Sequence, residues 1–287
     1  MPDTGDEMIR YSGLVLMAFA CGSAFGQAPA ITKGGVVDAA SFSAGRPVSA
    51  GNIVAIFGTN LATKLTQTDS VLLSTTLGNV SVTFNGINAA LQFVAPTQIN
   101  AQVPWNVLPD GTSGTVSAVV TSQGVPSAPE SVTINAFGPG VYAASGHAFA
   151  INVQDPTSTR YVSFAAPVDT FGTGCAIVPQ PSTCAFKAFP ARVNDALLVY
   201  AGGLGALDNP VPTGGLPASG VVARATTQPV VLVNNVPAPV AYAGASSYVG
   251  VYQINMTVPQ VAAGSALPFQ IQVGGLTTPA STTIAVE

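Results

Sequence analysis

"QINAQVPW", Gln98 to Trp105, and "YQINMTVP", Tyr252 to Pro259, write nearly the same segment twice. In the first, Ile99, Ala101 and Val103 alternate with Gln98, Asn100 and Gln102; in the second, Ile254, Met256 and Val258 hold the apolar positions. Successive side chains of a strand point to opposite faces, so this alternation predicts a half-buried β-strand in each place. Pro104 and Pro259 end the strands because proline has no N–H to give to a ladder. The outward amides are expected to tie a neighbouring turn or loop by hydrogen bonds, with a polar binding face as the other reading.

Other segments recur in the same order. "GNIVAIFGTNLA" from Gly51 pairs with "DALLVYAGGLGA" from Asp195, and "VSVTFNGINAALQFVAP" from Val80 with "PVVLVNNVPAPVAYAGA" from Pro229. "GTVSAVVTSQGVPSAPESVTI" from Gly114 pairs with "SALPFQIQVGGLTTPASTTIAV" from Ser265. The chain is a divergent duplication whose insertions fall between strands, where loops tolerate them. Each copy is a series of short Val-, Ile-, Thr-, Phe- and Tyr-rich runs punctuated by Gly, Pro and Asn, with no sustained helical period. Asn85-Gly86 between two apolar runs signals a two-residue hairpin, and Asn234-Asn235 repeats it. About seven strands in about 100 residues per copy predict an all-β chain of two tandem immunoglobulin-like β-sandwiches. The expected division is 1–26 export segment, 27–136 first sandwich and 137–287 second sandwich. "GHAFAINVQDPTSTRYVSFAAPV" from Gly146 opens the second as a hairpin turning at Asp155-Pro156.

With 48% hydrophobic residues in 287, the chain can bury a sizeable core without metal or partner. Only 7% of residues are charged, against about a quarter in an average soluble protein, so the surface is rich in uncharged hydrogen-bonding groups. Eight Lys/Arg against twelve Asp/Glu, with no basic cluster, leave no footprint for nucleic acid or anionic lipid. The start, "MIRYSGLVLMAFACGSAFGQAPA" from Met8, has Arg10 before an apolar stretch too short to span a membrane and small residues before Gln27. It reads as a secretory signal peptide, with Met8 a second candidate start; no membrane span is expected in the mature chain. Cys21 as a lipidated N-terminus is the weaker reading, because the position three before it lacks Leu. In an exported protein Cys175 and Cys184, in "CAIVPQPSTC", are expected to form a local disulfide, with two free thiols as the alternative. A zinc site is not expected from two such cysteines and the single histidine, His147.

"GGVVDAASFSAGRPVSAGNIVAIFGTNLA", "QFVAPTQINAQVPWNV", "VYAGGLGALDNPVPTGG" and "YVGVYQINMTVP" together resemble the acidobacterial (Solibacter-type) C-terminal domain family, whose architecture is related to IPT/TIG immunoglobulin-like modules. The resemblance runs from Gly34 to Glu287 and implies fold and export, not an activity. The Cys175 to Cys184 loop looks like an insertion on that pattern, so the resemblance says nothing of its role.

Groups for catalysis are scarce. His147 has no G-x-S-x-G nucleophile elbow to serve and reads as an ordinary surface or edge-strand residue. Carboxylates are scattered singly, mostly at turns, among them Asp38, Asp110, Asp169, Asp195 and Asp208. "GGLGALDNPVPTGG" from Gly202 lacks the G-K-[ST] of a phosphate loop and reads as a mobile loop with polyproline character. Trp105, replaced by Gln260 in the second copy, either packs between the domains or stacks on a ligand; Tyr248, Tyr252 and Tyr242 are weaker contact candidates. These features point to a non-catalytic exported binding or spacer module at the cell surface, in the periplasm or outside the cell. No cofactor or metal is expected, and its partner would be a polysaccharide or a cell-envelope protein. The alternatives are a carbohydrate-binding accessory domain, or a carbohydrate-active enzyme using Trp105 with Asp195 or Asp208, or a purely structural assembly domain.

Overall fold

The computed structural model describes residues 27–109, 112–158, 160–168, 170–171 and 187–287. The export segment with Cys21, both loop cysteines Cys175 and Cys184, and the turn carboxylates Asp110 and Asp169 lie outside these residues.

Among the described residues the named elements are all β-strands, in four sheets. In spatial order the first sheet holds Ala30–Asp38, Ile53–Thr59, Gln98–Gln102, Ala90–Val94 and Thr66–Gln67. The second holds Glu130–Ile134, Gly114–Ser122, Val80–Phe84 and Ile87–Asn88, with Val125–Pro126 against Gly114–Ser122. Their inner faces share one core in which Val54, Ile56, Ile99, Val82, Phe84 and Val120 are fully buried. The third sheet runs Ala188–Phe189, Ser163–Ala165, Ala150–Asn152, Ala196–Gly202, Tyr252–Thr257 and Val240–Ala245, with Gly140–Val141 on Ala196–Gly202. The fourth runs Ala143–Ala144, His147–Ala148, Thr283–Val286, Gly264–Val273, Val230–Val233 and Val236–Ala238, with Leu276–Thr277 on Gly264–Val273. A second core, including Val199, Ile254, Val231, Phe269 and Ile284, lies between these two. Burying a side chain such as Phe84 or Phe269 from water contributes about 1.5–3 kcal/mol each, so each copy has its own source of stability. Two packed sheets per copy make two immunoglobulin-like sandwiches.

Both quoted segments are interior strands. Ile99 lies opposite Ile56 and Val94, and Ile254 opposite Val199 and Ala243, with the alternating apolar residues turned into the core as their pattern requires. The Asn85-Gly86 turn has both φ angles positive, 49° and 78°, and Asn234-Asn235 has 49° and 64°. This is the backbone that lets a two-residue loop follow the twist of its strands. Gln123-Gly124, Ser145-Gly146 and Gly274-Gly275 adopt it as well, although only the first two asparagine turns stand out in the sequence.

One sequence pairing shifts. Ile53 lies opposite Gln102 and Ala196 opposite Thr257, so Ile53 matches Ala196, and Asn52 rather than Gly51 matches Asp195. The segments "IVAIF" and "ALLVY" are apolar throughout, so a slip of one residue leaves their hydrophobic match intact and only the partner strand sets the register.

Candidate functional site

Trp105 follows Pro104 at the end of the first quoted strand and packs against the core of the second sandwich, as does Phe137 from the connection between the copies. Its backbone N–H donates to Thr213 Oγ1 at 3.2 Å. The indole lies over Gly51, whose φ is 76° and where any side chain would meet the ring. A gap of about 10 Å³ beside it, bordered by Leu207, Leu216 and Tyr248, holds no carboxylate and is too small for a sugar. The structure therefore seats Trp105 in the seam between the copies. Gln260, at the matching place after the second strand, is exposed.

Polar ties cross the same seam. Gln102 is fully buried; its Nε2 donates to the Gly51 carbonyl at 3.0 Å, and its Oε1 accepts the Gly214 N–H at 2.6 Å. Leu73 N–H donates to the Gly214 carbonyl at 2.8 Å. The Gly202 to Gly215 segment, which reads as a mobile loop, is thus held against the first sandwich at its far end. Arg46 reaches across to the Thr277 carbonyl at 2.6 Å.

A buried acid sits here too. Asp38, 4% exposed, accepts from Asn52 Nδ2 at 3.1 Å and from Ser41 N–H at 2.7 Å. The second copy covers the pair with Gly140 and Gly202, whose missing side chains leave room for the carboxylate and the amide. Burial pushes the Asp38 carboxyl above its ordinary value, against the opposing pull of its hydrogen bonds, and burial with the nearby Asp38 charge pushes the Tyr142 phenol up. The second copy repeats this pair with the roles exchanged: Asn152 Nδ2 donates to Asp195 Oδ2 at 2.6 Å, which also accepts Arg192 N–H at 2.8 Å. Asn152 occupies the place of Asp38, and Asp195 that of Asn52.

The remaining candidates are dispersed. Tyr252 is corrected from a contact residue to a core residue: it is 2% exposed, its hydroxyl donates to the Gly205 carbonyl, and burial pushes its phenol up. The alternation that places Ile254 inward also turns Tyr252 inward. Tyr248 is 56% exposed and packs edge-on against Tyr200 at 5.6 Å between centroids. The Tyr242 hydroxyl donates to the Ala245 carbonyl at 2.7 Å. His147 Nδ1 meets Thr283 Oγ1 at 3.1 Å, and partial burial lowers its imidazole below the ordinary value. Asp208 accepts Arg224 N–H at 2.7 Å and ties a loop. Neither Asp195 nor Asp208 borders the gap beside Trp105. Among the described residues no three His, Cys, Asp or Glu side chains gather as a metal site, and no helix is long and apolar enough to cross a membrane.

The outward amides behave differently from the expected loop ties. Gln98 Nε2 donates to Asn100 Oδ1 at 2.8 Å and Gln253 Nε2 to Asn255 Oδ1 at 2.7 Å, so each pair bonds along its own strand; Gln102 alone reaches a loop.

The strand order, paired sheets and interior core of residues 30–134 meet a known pattern. Residues 39–134 match the IPT/TIG domain family. The second sandwich repeats the strand arrangement of the first around its quoted strand. No curated protein matches the chain. Among solved structures, the plexin A4 extracellular region is similar at 10% identity and a TM-score of 0.24, over 90% of this chain and 18% of that one. Domains 5–6 of the S-layer protein SbsC are similar at 11% identity and a TM-score of 0.23, over 87% and 94%. The C-terminal domain of the Streptococcus agalactiae AgI/II polypeptide BspA is similar at 9% identity and a TM-score of 0.20, over 90% and 99%.

Sequence reading missed Gln102, Asn52 and Asp38 as seam residues. A signal was present, because Gln102 stands where the twin strand has Thr257, just as Trp105 stands where it has Gln260.

Proposed function

We propose that this protein is a non-catalytic, exported binding or spacer module, divided at about residue 136 into two sandwiches, that acts at the cell surface or in the periplasm. One observation carries the reading: the carboxylates Asp38, Asp195 and Asp208 and the single histidine are engaged in holding the chain. Asp38 and Asp195 each accept from a partner amide and a backbone N–H, Asp208 ties a loop, and His147 meets a threonine hydroxyl. A general acid or base needs a reachable substrate proton, and a carboxylate turned to structural donors is poorly placed to serve one. In this reading the N-terminal segment is removed before Gln27, and Cys175 and Cys184 are joined in the oxidising compartment.

The test is to fractionate producing cells, sequence the N-terminus, and assay the purified protein for release of reducing sugar from polysaccharides. The expected result is an exported chain beginning at Gln27 that turns nothing over. Hydrolysis lost on Asp195→Ala or Asp208→Ala would overturn the non-catalytic reading, and an uncleaved cytoplasmic chain would overturn export.

A further inference from the structure

Both copies carry the same arrangement on the outer face of the sheet that holds the quoted strand. In the first, Gln98 lies opposite Phe57 on one neighbouring strand and Asn100 opposite Phe93 on the other. In the second, Gln253 lies opposite Tyr200 and Asn255 opposite Tyr242. Directly opposed residues share a face, so each amide pair is flanked by two aromatic rings. A β-bulge falls at the same point in both, between Leu91 and Phe93 and between Val240 and Tyr242, and turns the ring-bearing residue to meet the asparagine. A further, exposed ring extends each strip: Phe42 against Phe57 at 6.3 Å, and Tyr248 against Tyr200 at 5.6 Å.

An open groove follows each pair. The first, about 320 Å³, is lined by Gln67, Gln92, Phe93, Gln98 and Asn100 and has no charged side chain. The second, about 590 Å³, is larger: the segment 216–223 walls it opposite Tyr242, Gln253 and Asn255, and its one charged residue, Arg224, holds its guanidinium 5.2 Å over the Tyr242 ring.

The two cores do not call for the amides. The inward residues of these strands make the cores, while the amides and rings lie on the opposite face, and each pair commits one donor and one acceptor to itself. The carbonyl of the glutamine and the amino group of the asparagine remain as a fixed acceptor and donor beside flat apolar surface. Such a strip suits an uncharged ligand dense in hydroxyls, each both donor and acceptor, with C–H faces to lay on a ring or a guanidinium plane. An extended peptide would instead seek a free strand edge. Beside the second groove that edge is occupied, since Arg224 bridges to Gly244 and Ala245 N–H donates to the Ala223 carbonyl.

We propose that the two grooves are related subsites for a neutral polysaccharide, read by the repeated Gln98–Asn100 and Gln253–Asn255 pairs and their flanking rings. This rests on the non-catalytic binding reading above and names its ligand class. Two linked subsites favour a polymer over its short oligomers through effective concentration.

The test measures retention of the full exported chain on insoluble cellulose, xylan, chitin and starch, alongside the variants Gln98→Ala/Asn100→Ala, Gln253→Ala/Asn255→Ala and all four together. Trp105→Phe serves as a seam control, and thermal midpoints check folding. Retention on one of these polymers is expected to weaken by about tenfold for each pair and fall to background for all four, with unchanged midpoints and with Trp105→Phe retained. No retention on any of them, or retention indifferent to the four substitutions, overturns the proposal. Capture of an envelope protein by the same residues, with no polymer bound, overturns the ligand class and leaves the binding reading standing. Release of sugar would strike that underlying reading instead. Should a paired variant lose its midpoint, the single changes Asn100→Ser and Asn255→Ser decide by the same retention.

Discussion

The seam can be tested through the contact between Gly51 and Trp105. At Gly51 the backbone has φ 76°, and a Cβ would enter the indole ring. Gly51→Ala therefore carries two separable costs. Left-handed backbone for a residue with a Cβ costs about 1–2 kcal/mol, whatever lies nearby. Displacing the ring from its seat against the second core forfeits packing worth about 1–3 kcal/mol more, the usual scale of overpacking. Trp105→Ala on its own should cost about 3 kcal/mol, at the lower end for tryptophan because the residue is half-buried. Once the ring is gone only the backbone cost of Gly51→Ala remains, so the double variant should be more stable than the sum of the singles by about 1–3 kcal/mol. Urea denaturation followed by far-ultraviolet circular dichroism measures all four species without relying on the single tryptophan. Additivity within about 0.5 kcal/mol, or a Trp105→Ala cost below that figure, would show that the indole is not seated between the copies.

Three further predictions concern the seam's polar groups. Burial raises the Asp38 carboxyl above 3.8, so the folded state holds that proton to higher pH than the unfolded chain; stability is greatest on the acid side and falls as pH rises from 3.8 through the raised value. Asp38→Asn should remove this fall, so its advantage over the wild type grows from about pH 3 to about pH 7 in urea midpoints, whereas a constant difference would contradict the buried carboxylate. Asn52→Asp alone places two carboxylates together and should destabilise by more than about 2 kcal/mol, while Asp38→Asn/Asn52→Asp reproduces the exchanged pair of the second copy and should recover at least half of that in the same titration. Gln102→Ala leaves the buried Gly214 N–H without its acceptor and should cost about 1–3 kcal/mol, with faster proteolytic nicking between Asn209 and Gly215; Gln102→Thr, the twin's residue, should not rescue it.

The alternation in "QINAQV" and "YQINMTV" marked two central strands and their inward residues, because one buried face imposes period two on the letters themselves. The Asn85-Gly86 turn was equally legible, since its backbone demands residues that accept positive φ. Continuously apolar "IVAIF" left its register against "ALLVY" open, and the ladder to Gln98–Gln102 closed it. Tyr252 looked like a candidate contact only while its parity with Ile254 was ignored. The grooves were half visible: the repeated Gln-x-Asn stood in the sequence, but the rings beside it come from strands distant along the chain and meet it only through register and a shared bulge.

By itself, then, the sequence determined that the chain is all-β, duplicated and poor in charge, because these follow from composition and from periodicities a few residues long. Only the tertiary structure decided what differs between the copies. Trp105 against Gln260, Gln102 against Thr257, and Asp38 with Asn52 against Asn152 with Asp195 are differences that local pattern does not interpret. They acquire meaning once one sandwich packs against the other, since that contact covers the first member of each comparison and leaves Gln260, its unmatched counterpart, in water.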